Sequence, residues 1–170
     1  TETLTRATPL ILTGLAAAVA FRARLYNIGG EGQLYAGAMA AVAVGGLHGG
    51  TGFDQPAWLL FPLMMAAAAV AGALLLLGPA LMKSRLGVDE VVTTLLLNFI
   101  VLLGVSALLD GPMKDASAMG WPQSVAIQDA LQLGKLVARS RVHTGLLWAL
   151  GLALALWALL GFTTLGFQIR

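Results

Sequence analysis

Five long apolar runs, separated by short polar or glycine-rich breaks, organise this chain. Segment A covers Pro9 to Phe21 and reaches Tyr26 only by accepting Arg22 and Arg24. Segment B covers Glu31 to Leu47, C covers Ala57 to Met82, D covers Val88 to Leu109, and E covers Thr144 to Phe162. At helical rise, C reaches about 39 Å, D about 33 Å and E about 28 Å. A hydrocarbon slab of roughly 30 Å is therefore within reach of all three. B reaches about 26 Å and the apolar core of A about 20 Å, so these two are expected either to be short, broken helices or to lean on protein rather than lipid. Strands of a membrane barrel would alternate apolar and polar positions with period two. Ala66 to Leu77 instead carries no polar side chain, and its Ala and Leu content favours helix. The fold class predicted is all-α: a polytopic transmembrane helical bundle of about five membrane segments, one or two of them short or broken.

Small residues on B repeat at helical spacing. Gly32, Ala36 and Ala40 share one face, and Gly37, Ala41 and Gly45 share the next. Such faces let helix backbones approach closely in lipid, so B is expected to be enclosed by other helices. Leu47 to Pro56 reads as a glycine-rich turn, and Gly78-Pro79 followed by Lys83, Arg85 and Gly87 closes C. The one extended polar stretch runs from Asp110 to Val142. Within it, Gln123 to Ala138 is mildly amphipathic: Val125, Ile127, Leu131, Leu133 and Leu136 could seat a short helix on the interface. Trp58 and Trp121 lie beside turns, where amphipathic rings favour the headgroup level.

Composition agrees with the pattern. Of 170 residues, 58% are hydrophobic and 11% charged. Charged residues make up about 25% of an ordinary soluble domain, which must cover its surface with polar groups. Mean hydropathy is +0.85. Disorder and a disulfide scaffold are excluded, the latter because the chain has no cysteine. The net charge of +2 rests on ten basic residues without a cluster, which argues against nucleic acid as a partner. Placing the loop between C and D in the cytoplasm puts Arg22, Arg24, Lys83, Arg85 and Arg170 on that side. Arg6, Lys114, Lys135, Arg139 and Arg141 then lie opposite. The count is even. Short-loop weighting favours a cytoplasmic Lys83 to Glu90 loop, although Arg139 and Arg141 stand close to E on the other side. Thr1 to Arg6 has no clustered positive region or cleavage site of a secretory signal, and both ends read as cuts through a longer chain.

Polar groups at membrane depth are the functional candidates, because lipid offers them nothing. Asn27-Ile28-Gly29-Gly30-Glu31-Gly32-Gln33 joins A to B with three glycines and three amide or carboxylate side chains. Gly29 and Gly30 can take backbone angles that a helix interior cannot, and Glu31 falls in the first turn of B, where the helix dipole favours an acid. Broken helices of transporters present such freed backbone groups to a cavity. The plain alternative is a helix-helix turn with an acidic start. On D, Glu90, Thr94 and Asn98 share a face at i, i+4, i+8. Asn98 is well inside the slab, where an amide serves equally as glue between helices or as lining of a path. Thr93 and Thr94 can also bond back to the preceding turn.

No enzyme signature is present. His48 and His143 stand alone, with no HExxH pattern and no cysteine, so neither a catalytic residue nor a metal site is expected. Gly78-Pro79-Ala80-Leu81-Met82-Lys83-Ser84 lacks the glycine that a phosphate-binding loop places before its lysine and follows a membrane helix rather than a strand.

Leu25-Tyr26-Asn27-Ile28-Gly29-Gly30-Glu31-Gly32-Gln33 resembles the FNIG-x-EGQ signature of permease subunits of bacterial ABC importers for simple sugars and nucleosides, within the branched-chain amino acid and ribose-like permease superfamily. Pro9 to Leu15, Gly87 to Asn98 and Thr163 to Arg170 resemble further stretches of that family in the same order. Tyr26 replaces the usual Phe and Phe99 the usual Tyr. The resemblance implies a fragment covering the family's second to sixth helices. It implies an inner-membrane location and a substrate pathway involving Asn27, Gly29, Glu31, Gln33, Thr94 and Asn98. It also implies partners: ABC ATPase subunits that hold the ATP, a second permease subunit, identical or homologous, and an extracytoplasmic substrate-binding lipoprotein. No cofactor is expected on this chain. An ion-coupled secondary transporter and a structural membrane subunit are the alternatives; against the first, no acid sits at the centre of a predicted helix.

Overall fold

The computed structural model describes residues 2–48, 50–136 and 141–169. The fold is all-α. In chain order the helices are α1 (Glu2–Arg22), α2 (Gly30–Gly45), α3 (Ala57–Leu86), α4 (Glu90–Asp110), α5 (Gly145–Phe162) and the short α6 (Thr164–Gln168). Four of them, α1, α3, α4 and α5, are long and apolar enough to cross a membrane. Segments C, D and E thus appear as expected. Segment B becomes the 16-residue α2, about 24 Å long and too short to cross alone. The chain divides into two compact units, one of residues 28–132 and one of residues 1–27 with 133–170.

In the unit of residues 28–132, α2 packs against both α3 and α4. The small faces of α2 make these contacts. A Cβ added at Gly37 would stand 3.2 Å from the Ala68 carbonyl oxygen, and one at Gly45 would meet the Met64 sulfur at 2.7 Å. Close backbone approach therefore depends on glycine at both positions. The opposite side of α2, including Leu34, Tyr35 and Ala38, is exposed. The expected enclosure of B is realised on the two faces that carry its glycines. Leu60, Met64 and Leu131 form a buried cluster, with Ala41, Val44, Phe61 and Ile127 packed around it.

α3 does not stop at Gly78-Pro79. It runs on to Leu86, with Pro79 buried inside it, and ends at Gly87, whose φ of +66° is a left-handed angle that glycine adopts without strain. α4 then starts on Asp89, whose carboxylate accepts the Val91 N–H at 2.8 Å as an N-cap.

Among its described residues, the Gln123 to Ala138 stretch shows the short helix reduced to one 3-10 turn, Asp129–Leu131. Its backbone groups are engaged elsewhere: the Leu47 N–H donates to Ala126 O at 2.9 Å, and the Gln128 N–H donates to Gly45 O at 3.0 Å. Ile127 and Leu131 consequently pack on α3 and the end of α2. Val137, Ala138 and the Arg139 of the charge comparison lie outside the described residues, as do Thr1, Gly49 and Arg170, the last residue of the Thr163 motif. Trp58 and Trp121 are both exposed.

In the other unit, α1 packs against α5. Segment A was expected to be short, but α1 is a continuous helix of 21 residues, about 32 Å long. Its first turns are polar in sequence yet satisfied locally. Thr8 Oγ1 donates to Leu4 O at 3.1 Å and Thr13 Oγ1 to Pro9 O at 3.0 Å. A hydroxyl that bonds back to its own helix loses its demand for water, and proline inside a membrane helix is tolerated on the same terms. Glu2 adds an exposed ion pair with Arg141 at 3.3 Å.

Candidate substrate-pathway site

The site is built around the start of α2. The first four N–H groups of any helix lack a partner within it. Gly29, the residue before α2, has no side chain with which to cap them. Its own angles, φ −83° and ψ 18°, lie outside the helical region, as expected at a break, and are open to any residue. Gly29 and Gly32 are both buried.

The missing cap comes from α4. Asn98 Oδ1 accepts the Gly32 N–H at 2.5 Å. One turn earlier, Thr94 Oγ1 accepts the Ile28 N–H at 3.2 Å and donates to Glu90 O at 2.7 Å. Thr94 and Asn98 are 2% and 8% exposed; the Asn98–Gly32 bond is buried and the Thr94–Ile28 bond partly so. A Cβ at position 32 would lie 2.8 Å from Asn98 Oδ1 and 3.2 Å from Asn98 Cα. Only glycine lets the two helices meet this closely. Thr94 and Asn98 of the i, i+4, i+8 stripe thus face the break between A and B.

Glu90 closes the stripe. It is buried and forms an ion pair with Lys83 across the α3–α4 turn. The half-exposed Lys83 ammonium offsets the buried Glu90 carboxylate, and the pair spans the turn that leads into Thr94 and Asn98.

Depth follows from the register. Asn98 is eight residues beyond Glu90, about 12 Å along an α4 that is about 32 Å long. The start of α2 therefore lies well inside the span of α4, with its positive dipole end held there by two neutral side chains.

Of the remaining predicted residues, Glu31 is exposed in the first turn of α2. Gln33 is half-buried, and its N–H donates to Gly29 O at 3.1 Å. Asn27 belongs to the unit of α1, where its N–H donates to Leu25 O at 3.0 Å. The structure thus joins Thr94 and Asn98 to the backbone of the break. Sequence reasoning did not name Gly32 as the partner of Asn98, although its place on a small-residue face was the available signal. It also missed Lys83 as the partner of Glu90.

Residues 1–170 match the family model described as the permease component of a branched-chain amino acid transport system. The chain belongs to this permease family. Among characterised relatives, it is 38% identical over 170 residues to a guanosine ABC transporter permease protein of Bacillus subtilis, covering 99% of this chain and 47% of that one. It is 39% identical over 179 residues to a glucose ABC transporter permease protein of Haloferax volcanii, covering 99% and 46%. It is 31% identical over 178 residues to a nucleoside ABC transporter permease protein of Lactococcus lactis, covering 99% and 47%. The chain spans about half the length of these relatives. No solved structure matches it.

Proposed function

We propose that this chain is part of the permease subunit of an ABC importer in the bacterial inner membrane, forming a stretch of the pathway for a nucleoside or simple sugar. The observation that carries the proposal is the start of α2, held at membrane depth by Thr94 and Asn98 in a chain of this family. Such a break sets backbone N–H groups, the amide of Gln33 and the carboxylate of Glu31 along a transport-protein helix, where hydroxyl-rich solutes find donors and acceptors. Relatives named for guanosine, nucleoside and glucose support that substrate class.

No covalent chemistry falls on this subunit. Separate ATPase subunits bind and hydrolyse ATP, a second permease subunit completes the pathway, and an extracytoplasmic lipoprotein delivers the solute. The permease contributes two states of different solute affinity, whose populations the ATPase shifts.

The complete permease, reconstituted with its ATPase and binding protein, should take up labelled guanosine or glucose only with ATP present. Uptake driven by an ion gradient without ATP would replace this mechanism with secondary transport. Glu31→Gln and Gln33→Ala should each lower uptake while the subunit still inserts and still retains the ATPase. Undiminished uptake in both would remove these residues from the pathway.

A further inference from the structure

The turn that closes α1 carries an arginine where helices place glycine. The Leu25 N–H donates to Ala20 O at 2.9 Å and the Arg24 N–H donates to Phe21 O at 3.0 Å. This pair of bonds closes a helix through one left-handed residue, usually glycine. Here that residue is Arg24, with φ +55°. An L side chain at this angle crowds its own carbonyl, so the arginine is there at a cost to the turn.

The turn opens onto a space with a definite chemistry. Arg22, Ala23 and Arg24, together with Gln168 and Ile169 after α5, line an open cavity of about 370 Å³. All of these residues belong to the unit of residues 1–27 and 133–170. The unit's one acidic residue, Glu2, lies at the other end of α1 and pairs with Arg6 and Arg141. Arg22 and Arg24 bring two positive charges to this end of α1. Beside it, the rings of Phe21 and Tyr26 stand 5.8 Å apart and are both exposed. Paired aromatics at the end of a membrane-length helix mark the headgroup level.

We infer that the cavity at the end of α1 is a headgroup site for an anionic phospholipid, with Arg22 and Arg24 on the phosphate. A guanidinium presents planar donors that match phosphate oxygens in pairs, which lysine cannot do. The Gln168 amide both donates and accepts, and so suits the hydroxyls of a glycerol headgroup. The acyl chains would lie along apolar side chains such as Phe21 and Phe167, both exposed.

The test uses the complete permease in detergent, with added phosphatidylglycerol, phosphatidylcholine or inorganic phosphate, reading bound lipid by native mass spectrometry and stability by thermal unfolding. Phosphatidylglycerol should be retained and should raise the unfolding temperature, while the other two do neither. Arg22→Gln should lower phosphatidylglycerol retention by about fivefold, the effect of one basic residue near an anionic surface. Arg24→Gly separates binding from folding, because glycine relieves the left-handed strain. It should lower lipid retention by a similar factor while leaving lipid-free stability equal or higher. Equal retention of phosphatidylcholine, equal stabilisation by inorganic phosphate, or unchanged phosphatidylglycerol retention in both variants would overturn the inference. A loss of lipid-free stability in Arg24→Gly would also overturn it, by making the arginine part of the turn's own structure.

Discussion

Asn98 Oδ1, in the second turn of α4 beyond Glu90, accepts the N–H of Gly32 at the start of α2 across a distance of 2.5 Å. This bond replaces a cap that α2 cannot supply for itself, since a glycine precedes it. It also sets the depth at which the helix begins.

Removing the acceptor should therefore loosen α2 from α4. Asn98→Leu leaves the Gly32 N–H buried without a partner, a loss of about 1–3 kcal/mol. Asn98→Asp retains an oxygen at the same reach and should hold more of the protein in its folded, membrane-inserted form than Asn98→Leu does. Thermal unfolding of the complete permease in detergent compares the two. Equal midpoints would mean that the amide oxygen contributes nothing to the join.

Two neighbouring glycines should respond differently to alanine. At Gly32 the new methyl meets Asn98 Oδ1 and Cα, and overpacking of this kind costs about 1–3 kcal/mol. At Gly30 nothing lies within 4 Å of the added atom, so Gly30→Ala should be neutral or slightly stabilising. The yield of membrane-inserted protein for the two variants checks the contrast, and a Gly30→Ala defect as large as that of Gly32→Ala would contradict it.

Lys83→Met strands the buried Glu90 carboxylate at the α3–α4 turn. The Lys83 side chain is itself 36% exposed, so solvent screening limits the loss to about 1–3 kcal/mol. Adding Glu90→Gln should recover part of it, because the charge that needed a partner is gone. A double variant no more stable than Lys83→Met would argue against the pair as the source of the effect.

The polar loop after α4 offers a pH test away from the membrane spans. The Ser117 hydroxyl and then its backbone N–H hydrogen-bond to Asp115, holding the carboxyl below the ordinary carboxylate range. A depressed value means that the turn gains from the charged form above the unfolded pKa, and loses that gain as pH falls through the folded one. Ser117→Ala should move the Asp115 titration back upward when followed by carbon-detected NMR. No movement would assign the depression to something other than Ser117.

Orientation is open to direct labelling. Ser84 ends α3 on one side of α4, and Met119 follows α4 on the other; both are exposed. A membrane-impermeant thiol reagent added to intact cells should modify cysteine at position 119 and spare one at position 84. The reverse pattern would place the Lys83–Glu90 loop outside.

What the sequence by itself determined is the helical class and the spans of α3, α4 and α5. Lipid cannot hydrogen-bond a backbone, so an unbroken apolar run of that length has one internal solution. The break before α2 and the polar stripe on α4 were legible for the same reason, since each departs from what lipid tolerates. The tertiary structure decided which groups those polar residues satisfy. Whether Asn98 lines a path or caps a helix depends on what stands opposite it, and the register between α2 and α4 comes from packing at Gly32, not from hydropathy. Local bonding also extends α1 beyond its apolar run, because Thr8, just before that run, returns its hydroxyl to the helix and ceases to act as a polar residue. The stretch after α4 went the other way. Its amphipathic pattern would suit a helix, but Leu131 finds Leu60 and Met64, and its neighbours' backbone groups pair with the end of α2. Periodicity records which side chains seek burial; only the assembled neighbours determine where that burial is found.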